Sequence, residues 1–158
     1  VTEMMAARGY AITNRVVSVS VAPANEDEAE ALGEPVGTEV VRLERVRLHR
    51  RDPLIHSLDI FPRSAIEGDL NDIDWTSSLL DLLERNGRRA ASAAAQFQAA
   101  RLSDSARAAL GPSGADPDGP WVLLVPRHFD ESGRPVIYSH DYYRGDRFTF
   151  NVFRRRMK

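Results

Sequence analysis

The twenty residues from Arg134 to Phe153 set the tightest limits on how this chain can fold. Gly133, Arg134 and Pro135 follow an Asp-Glu-Ser stretch and mark a turn. Residues 136–143 are β-branched and aromatic, a composition that suits a pleated, half-buried surface. Arg144, Gly145 and Asp146 form a second tight turn, in which Gly145 is free to take a positive φ. Phe148, Phe150 and Val152 then alternate with Thr149 and Asn151, which is the period of a half-buried strand. The stretch therefore reads as a hairpin that packs aromatic side chains onto a core.

A chain of 158 residues fits one domain with a single core. Its 42% apolar and 28% charged residues are those of an ordinary globule. A net charge of −2 argues against a nucleic-acid-binding surface covering the whole chain, and the Arg154-Arg155-Arg156 end reads as a solvated tail. Without cysteine there is no disulfide framework and no thiolate chemistry, which fits a cytoplasmic protein. No apolar run approaches a membrane span, so no membrane partner is expected. The chain begins with Val1, as a fragment of a longer protein would, and residues 1–8 read as a connector with no core of their own.

Residues 10–22 have strand propensity, and Pro23 ends them. Asn25 caps a short helix at 26–32, with acids in its first turn and Gly33 at its end. Residues 38–50 form a strand that places Val41, Leu43, Arg45, Arg47 and His49 on one face. A turn through Pro53 brings back a partner strand that Pro62 closes. Two arginines thus continue a line of two apolar residues. Either an anionic group faces them, or the twisted strand end lets both reach water. Ser77 or Ser78 caps a helix carrying Leu79, Leu80, Leu82 and Leu83, and Asn86-Gly87 ends it. Residues 88–101 are alanine-rich, and intrinsic propensity there favours helix. Ser103 caps a helix over 104–110, residues 111–120 form a loop, and 121–129 form a central strand.

Two stretches carry a family resemblance. One is Arg45-Val46-Arg47 followed by a turn with Pro53 and an apolar strand ending in Pro62; the other is the Tyr143-Arg144-Gly145-Asp146-Arg147 turn. Together they resemble the UTRA ligand-sensing domain of the HutC branch of GntR bacterial transcription regulators, over about residues 9–155. The resemblance implies an α+β, chorismate-lyase-like fold: an antiparallel sheet of about six strands flanked by short helices. It places a strand, not a helix, in the alanine-rich segment. It also implies a homodimer whose DNA-binding winged helix lies in an N-terminal domain absent from this sequence.

The resemblance further implies an effector pocket for a small anionic metabolite. By position its residues are Arg45, Arg47, Ser78 and Tyr143, with Ser57 and Ile137 standing where amino-sugar sensors carry glutamates. The loss of both carboxylates predicts an effector that is anionic at one end and uncharged at the other. Asp59, Asp141 or His140 turning inward would restore the polar contact. The sequence contains no glycine-rich phosphate loop, no His-Glu-x-x-His and no nucleophile elbow, and its four histidines lack metal-ligand spacing. No cofactor, metal or catalytic residue is therefore expected. The alternatives are a lyase of the chorismate-lyase type, which shares the fold, and a dimerisation module without a ligand.

Overall fold

The computed structural model describes residues 11–112 and 115–156; the proposed connector, residues 1–8, lies outside them. Six strands form one sheet in the order β1-β2-β3-β6-β5-β4, antiparallel throughout. They are β1 (Ile12–Pro23), β2 (Glu39–His49), β3 (Asp52–Pro62), β4 (Ser92–Ala100), β5 (Trp121–Phe129) and β6 (Pro135–Arg144). Three seven-residue helices accompany them: α1 (Glu26–Leu32), α2 (Leu79–Arg85) and α3 (Asp104–Leu110). The fold is the expected α+β arrangement.

Each helix starts at a side-chain cap. Asn25 and Glu28 form a capping box on α1, and Gly33 closes it in the left-handed region at φ 65°. Ser78 and Ser103 cap α2 and α3. Helices this short are not stable alone, so the sheet must hold them. On one face, α1 packs Ala29 and Leu32 on Val40 and Ile60, and α3 packs Ala106 and Leu110 on Val46 and Trp121. On the other, α2 packs Leu79, Leu82 and Leu83 over Val41, Leu43, Phe61 and Ile137. The alternation along β2 decides this division: its even positions face α1 and α3, and its odd positions face α2.

The alanine-rich segment is the strand β4, against its helix propensity, because pairing with β5 over nine positions fixes it. The expected C-terminal strand does not form. Beyond the turn at Gly145–Arg147 the chain is irregular, and Phe153 is 89% exposed. The hairpin partner of β6 is instead β5, joined through Asp130, whose carboxylate accepts from the backbone N–H groups of Ser132 and Arg134. Phe148 and Phe150 still pack inward, edge-on to the Tyr143 ring. Gly145 does not adopt a positive φ. A glycine fits there because a Cβ would lie 2.8 Å from the Pro120 carbonyl oxygen, which also accepts the Gly145 N–H. Asp146 does not cap the turn; it pairs with the Arg144 guanidinium.

Candidate functional site

The face of the sheet under α2 holds a cavity of about 500 Å³. Register builds its floor. Arg45 of β2, Ser57 of β3, Asp141 of β6 and Leu124 of β5 form one row across the strands. Arg47, Ile55, Tyr143 and Val122 form the next row. Ser78, Leu79, Leu80 and Asp81 from the start of α2 complete the wall. This sheet face is buried without being apolar, so each polar group on it needs a partner.

The two arginines separate in role. Arg45 is 2% exposed, and its guanidinium is occupied by the protein. Nη1 donates to the carbonyl oxygens of Trp75 (3.2 Å) and Ser77 (3.0 Å), while Nη2 donates to Asp59 Oδ2 (3.2 Å). Ser139 Oγ donates to the other oxygen of Asp59 at 2.6 Å. Burial pushes the Arg45 pKa down, opposed by the charge of Asp59. Arg45 therefore ties the sheet to the segment that leads into α2. Arg47 lines the cavity, with Nε donating to Ser57 Oγ at 3.2 Å, and among the described residues it has no ion pair. Its charge is the one left for a ligand.

Four buried polar atoms of cavity residues have no hydrogen-bond partner: Asn14 Oδ1, His128 Nδ1, Asp141 Oδ1 and Tyr143 OH. Burial, then the negative charge of Asp59, pushes the Asp141 carboxyl up to about 7, against Arg47 and a hydrogen bond with Ser57. Burial pushes the Tyr143 hydroxyl up and the His128 imidazole down. Such a set, in a concave and partly apolar site, suits a small molecule with both a charged end and hydrogen-bonding groups.

The comparisons agree with the resemblance read from the two motifs. The family model described as "UTRA domain" matches residues 7–149.

This chain belongs to the UTRA domain family.

The HTH-type transcriptional repressor NagR of Bacillus subtilis is 26% identical over 149 residues, covering 94% of this chain and 60% of that protein. The chain thus spans a little under two thirds of that relative. The crystal structure of the effector domain of PhnF from Mycobacterium smegmatis superposes with a TM-score of 0.85 at 28% identity, covering 98% of this chain and 94% of that one. The ligand-binding domain of a GntR-family regulator from Bordetella bronchiseptica shares the fold, with a TM-score of 0.77 at 18% identity. This UTRA domain is an effector domain of the kind that GntR-family regulators carry.

Of the residues expected at the pocket of this UTRA domain, Arg45, Arg47, Ser78, Ile137 and Tyr143 line the cavity. Ser78 also caps α2, its hydroxyl accepting the Asp81 N–H, so its two readings hold together. Ser57 is fully buried and bonds to Arg47 rather than lining the cavity. The expectation of a pocket without carboxylates does not hold. Asp59 and Asp141 both line it, while His140 lies on the opposite face, within reach of the Tyr138 hydroxyl. Strand alternation carried the signal: Asp59 shares a face with Ser57, and Asp141 shares one with Ile137. No group of His, Asp and Glu side chains suited to a metal occurs among the described residues.

Proposed function

We propose that this UTRA domain senses a small anionic metabolite, with Arg47 as the principal contact for the anion. The observation that carries the reading is a cavity-lining guanidinium without a counter-ion, beside the unpartnered hydroxyl of a fully buried Tyr143. A carboxylate or phosphate satisfies such a guanidinium bidentately. Ser78 and Ile137 shape the wall, Ser57 orients Arg47, and Arg45 holds the loop that carries Ser78. Nothing in this arrangement requires chemistry on the ligand, and the relatives are transcriptional regulators rather than enzymes.

In the whole protein the domain acts as a homodimer in the cytoplasm, and a separate N-terminal winged helix binds DNA. The absence of any helix long and apolar enough to cross a membrane, among the described residues, is compatible with this. An effector that favours one arrangement of the paired sensor domains shifts the spacing of their DNA-binding heads. The test is a thermal-shift screen of small phosphates and carboxylates against wild type and Arg47→Ala. A ligand that binds the folded state raises the melting temperature. Stabilisation of wild type and its loss in Arg47→Ala supports the reading; equal stabilisation of both rejects it. Turnover of chorismate by the domain would favour the lyase instead.

A further inference from the structure

The charges inside the cavity add up to more than an anion site. Arg45 and Asp59 are paired with each other, and burial keeps His128 from carrying charge near neutral pH. Asp81 belongs to an exposed position at the start of α2. Two groups remain without a counter-charge: Arg47 on β2 and Asp141 on β6, with Ser57 bonding to both. One is cationic and the other acidic, in one cavity. Asp141 is 4% exposed, and its Oδ1 has no partner.

We propose that Asp141 determines effector specificity by receiving a protonated amine, so that the effector is a small organic anion that also carries an ammonium group. The proposal rests on the reading of Arg47 as the anion contact and adds the second end of the ligand. Isolated carboxylates are costly to bury, and this one also faces the negative charge of Asp59. A hydroxyl would supply one hydrogen bond and leave that charge uncompensated. An ammonium supplies the hydrogen bond and the charge together, which makes the contact shorter and stronger. A ligand with both groups would neutralise Arg47 and Asp141 at once.

Protonation follows from the same contact. An ammonium favours the ionised carboxyl, so binding it below about pH 7 releases the proton that Asp141 holds there. Affinity for an aminated anion therefore rises as the pH climbs toward and past about 7, beyond the change shared by all phosphates.

Three probes of nearly equal size separate the possibilities: ethyl phosphate, 2-hydroxyethyl phosphate and 2-aminoethyl phosphate. Each is titrated calorimetrically into the full 158-residue chain and into its Asp141→Asn and Arg47→Ala variants. Wild type should bind the amine at least about tenfold more tightly than ethyl phosphate, with the hydroxyl between them. Asp141→Asn should reduce that preference to within about threefold while leaving ethyl phosphate binding unchanged, which also shows that the variant is folded. It should also remove the extra pH dependence of the amine. Wild type binding ethyl or hydroxyethyl phosphate as tightly as the amine would overturn the proposal, as would an amine preference that survives in Asp141→Asn. Binding of all three probes that is unaffected by Arg47→Ala, or no binding of any, would instead remove the anion site on which the proposal stands.

Discussion

Strands β3 and β4 belong to the same sheet and differ in almost every other respect. β3 lies between β2 and β6, and nine of its eleven residues are buried, Ser57 and Asp59 among them. β4 lies at the edge, and of its nine residues only Ala100 is even partly covered. The backbone hydrogen bonding is alike, so position in the sheet makes the difference. A polar group on β3 cannot turn to water. It must find a partner in the protein or in a ligand, which is why the cavity's chemistry gathers on the central strands. A side chain on β4 has water on either face, and the outer edge of its backbone is unpaired.

The comparison breaks hardest at Arg45. Removing it leaves Asp59 charged and buried, and releases the Trp75 and Ser77 carbonyls. Breaking a buried ion pair on one side typically costs about 3–5 kcal/mol. Arg45→Ala should therefore unfold at clearly lower denaturant in a urea titration followed by circular dichroism. A midpoint like that of wild type would mean that the Asp59 contact is not structural. Arg47 sharpens the distinction because it occupies the next row of the same strand face. Arg47→Ala should unfold much as wild type does, yet lose about 2–3 kcal/mol of affinity for an anionic ligand, measured by calorimetry.

Asp141 tests whether central burial is costly as well as useful. Its folded pKa of about 7 lies above the ordinary carboxylate value of roughly 3.9, so the native state holds a proton that the unfolded chain has released. Stability should fall as pH rises from about 4 to about 7 and level off beyond, because the unfolded state binds fewer protons in that window. Asp141→Asn lacks this fall. Without ligand at pH 8 it should be more stable than wild type by roughly 2–4 kcal/mol, with the difference vanishing near pH 4. Melting curves at pH 4, 6 and 8 check this. A constant difference across them would place the proton elsewhere.

Local rules made much of this legible in advance. The caps at Asn25, Ser78 and Ser103 and the stops at Gly33 and Pro23 are short-range chemistry, and they delimit the elements where the residues say they should. Residues 92–100 were not legible in this way. Alanine favours helix in isolation, and only pairing with β5, distant in sequence, makes a strand. Phe148–Val152 failed in the opposite direction: the alternation was real but had no neighbouring strand to pair with, and the Tyr143 ring took up the aromatics instead. In the site, Arg47 and Tyr143 stood out through two motifs. Asp59 and Asp141 stood in no motif, and their inward orientation depends on the joint register of β2, β3 and β6. That Arg45 serves the fold rather than the ligand depends on where the Trp75–Ser77 segment passes, which no pattern within β2 encodes.

The smallest effect on stability is expected at β4, where the consequence should appear in association. The sequence Ala-Ala-Gln-Phe-Gln-Ala-Ala over residues 94–100 reads the same in both directions, carries no charge and contains no proline. Its Phe97 is 53% exposed and touches Phe150. Natural edge strands are commonly guarded by lysine, proline or a bulge. β1, at the other edge, has an irregularity in register at Val16–Ser18 and an Arg15 side chain bonded to Ala109, whereas β4 has no such guard. An unguarded, palindromic edge is suited to antiparallel pairing with a second copy about a twofold axis, in which each side chain meets its like. Replacing Gln96 and Gln98 with lysine would bring like charges together across that axis while leaving the protomer's own pairing with β5 intact. The double variant should match wild-type stability to within about 0.5 kcal/mol per substitution. In sedimentation equilibrium it should dissociate at higher concentration than wild type, and the difference should shrink in high salt as the charges are screened. Equal association of the two proteins would show that the twofold contact, if the domain pairs, lies away from β4.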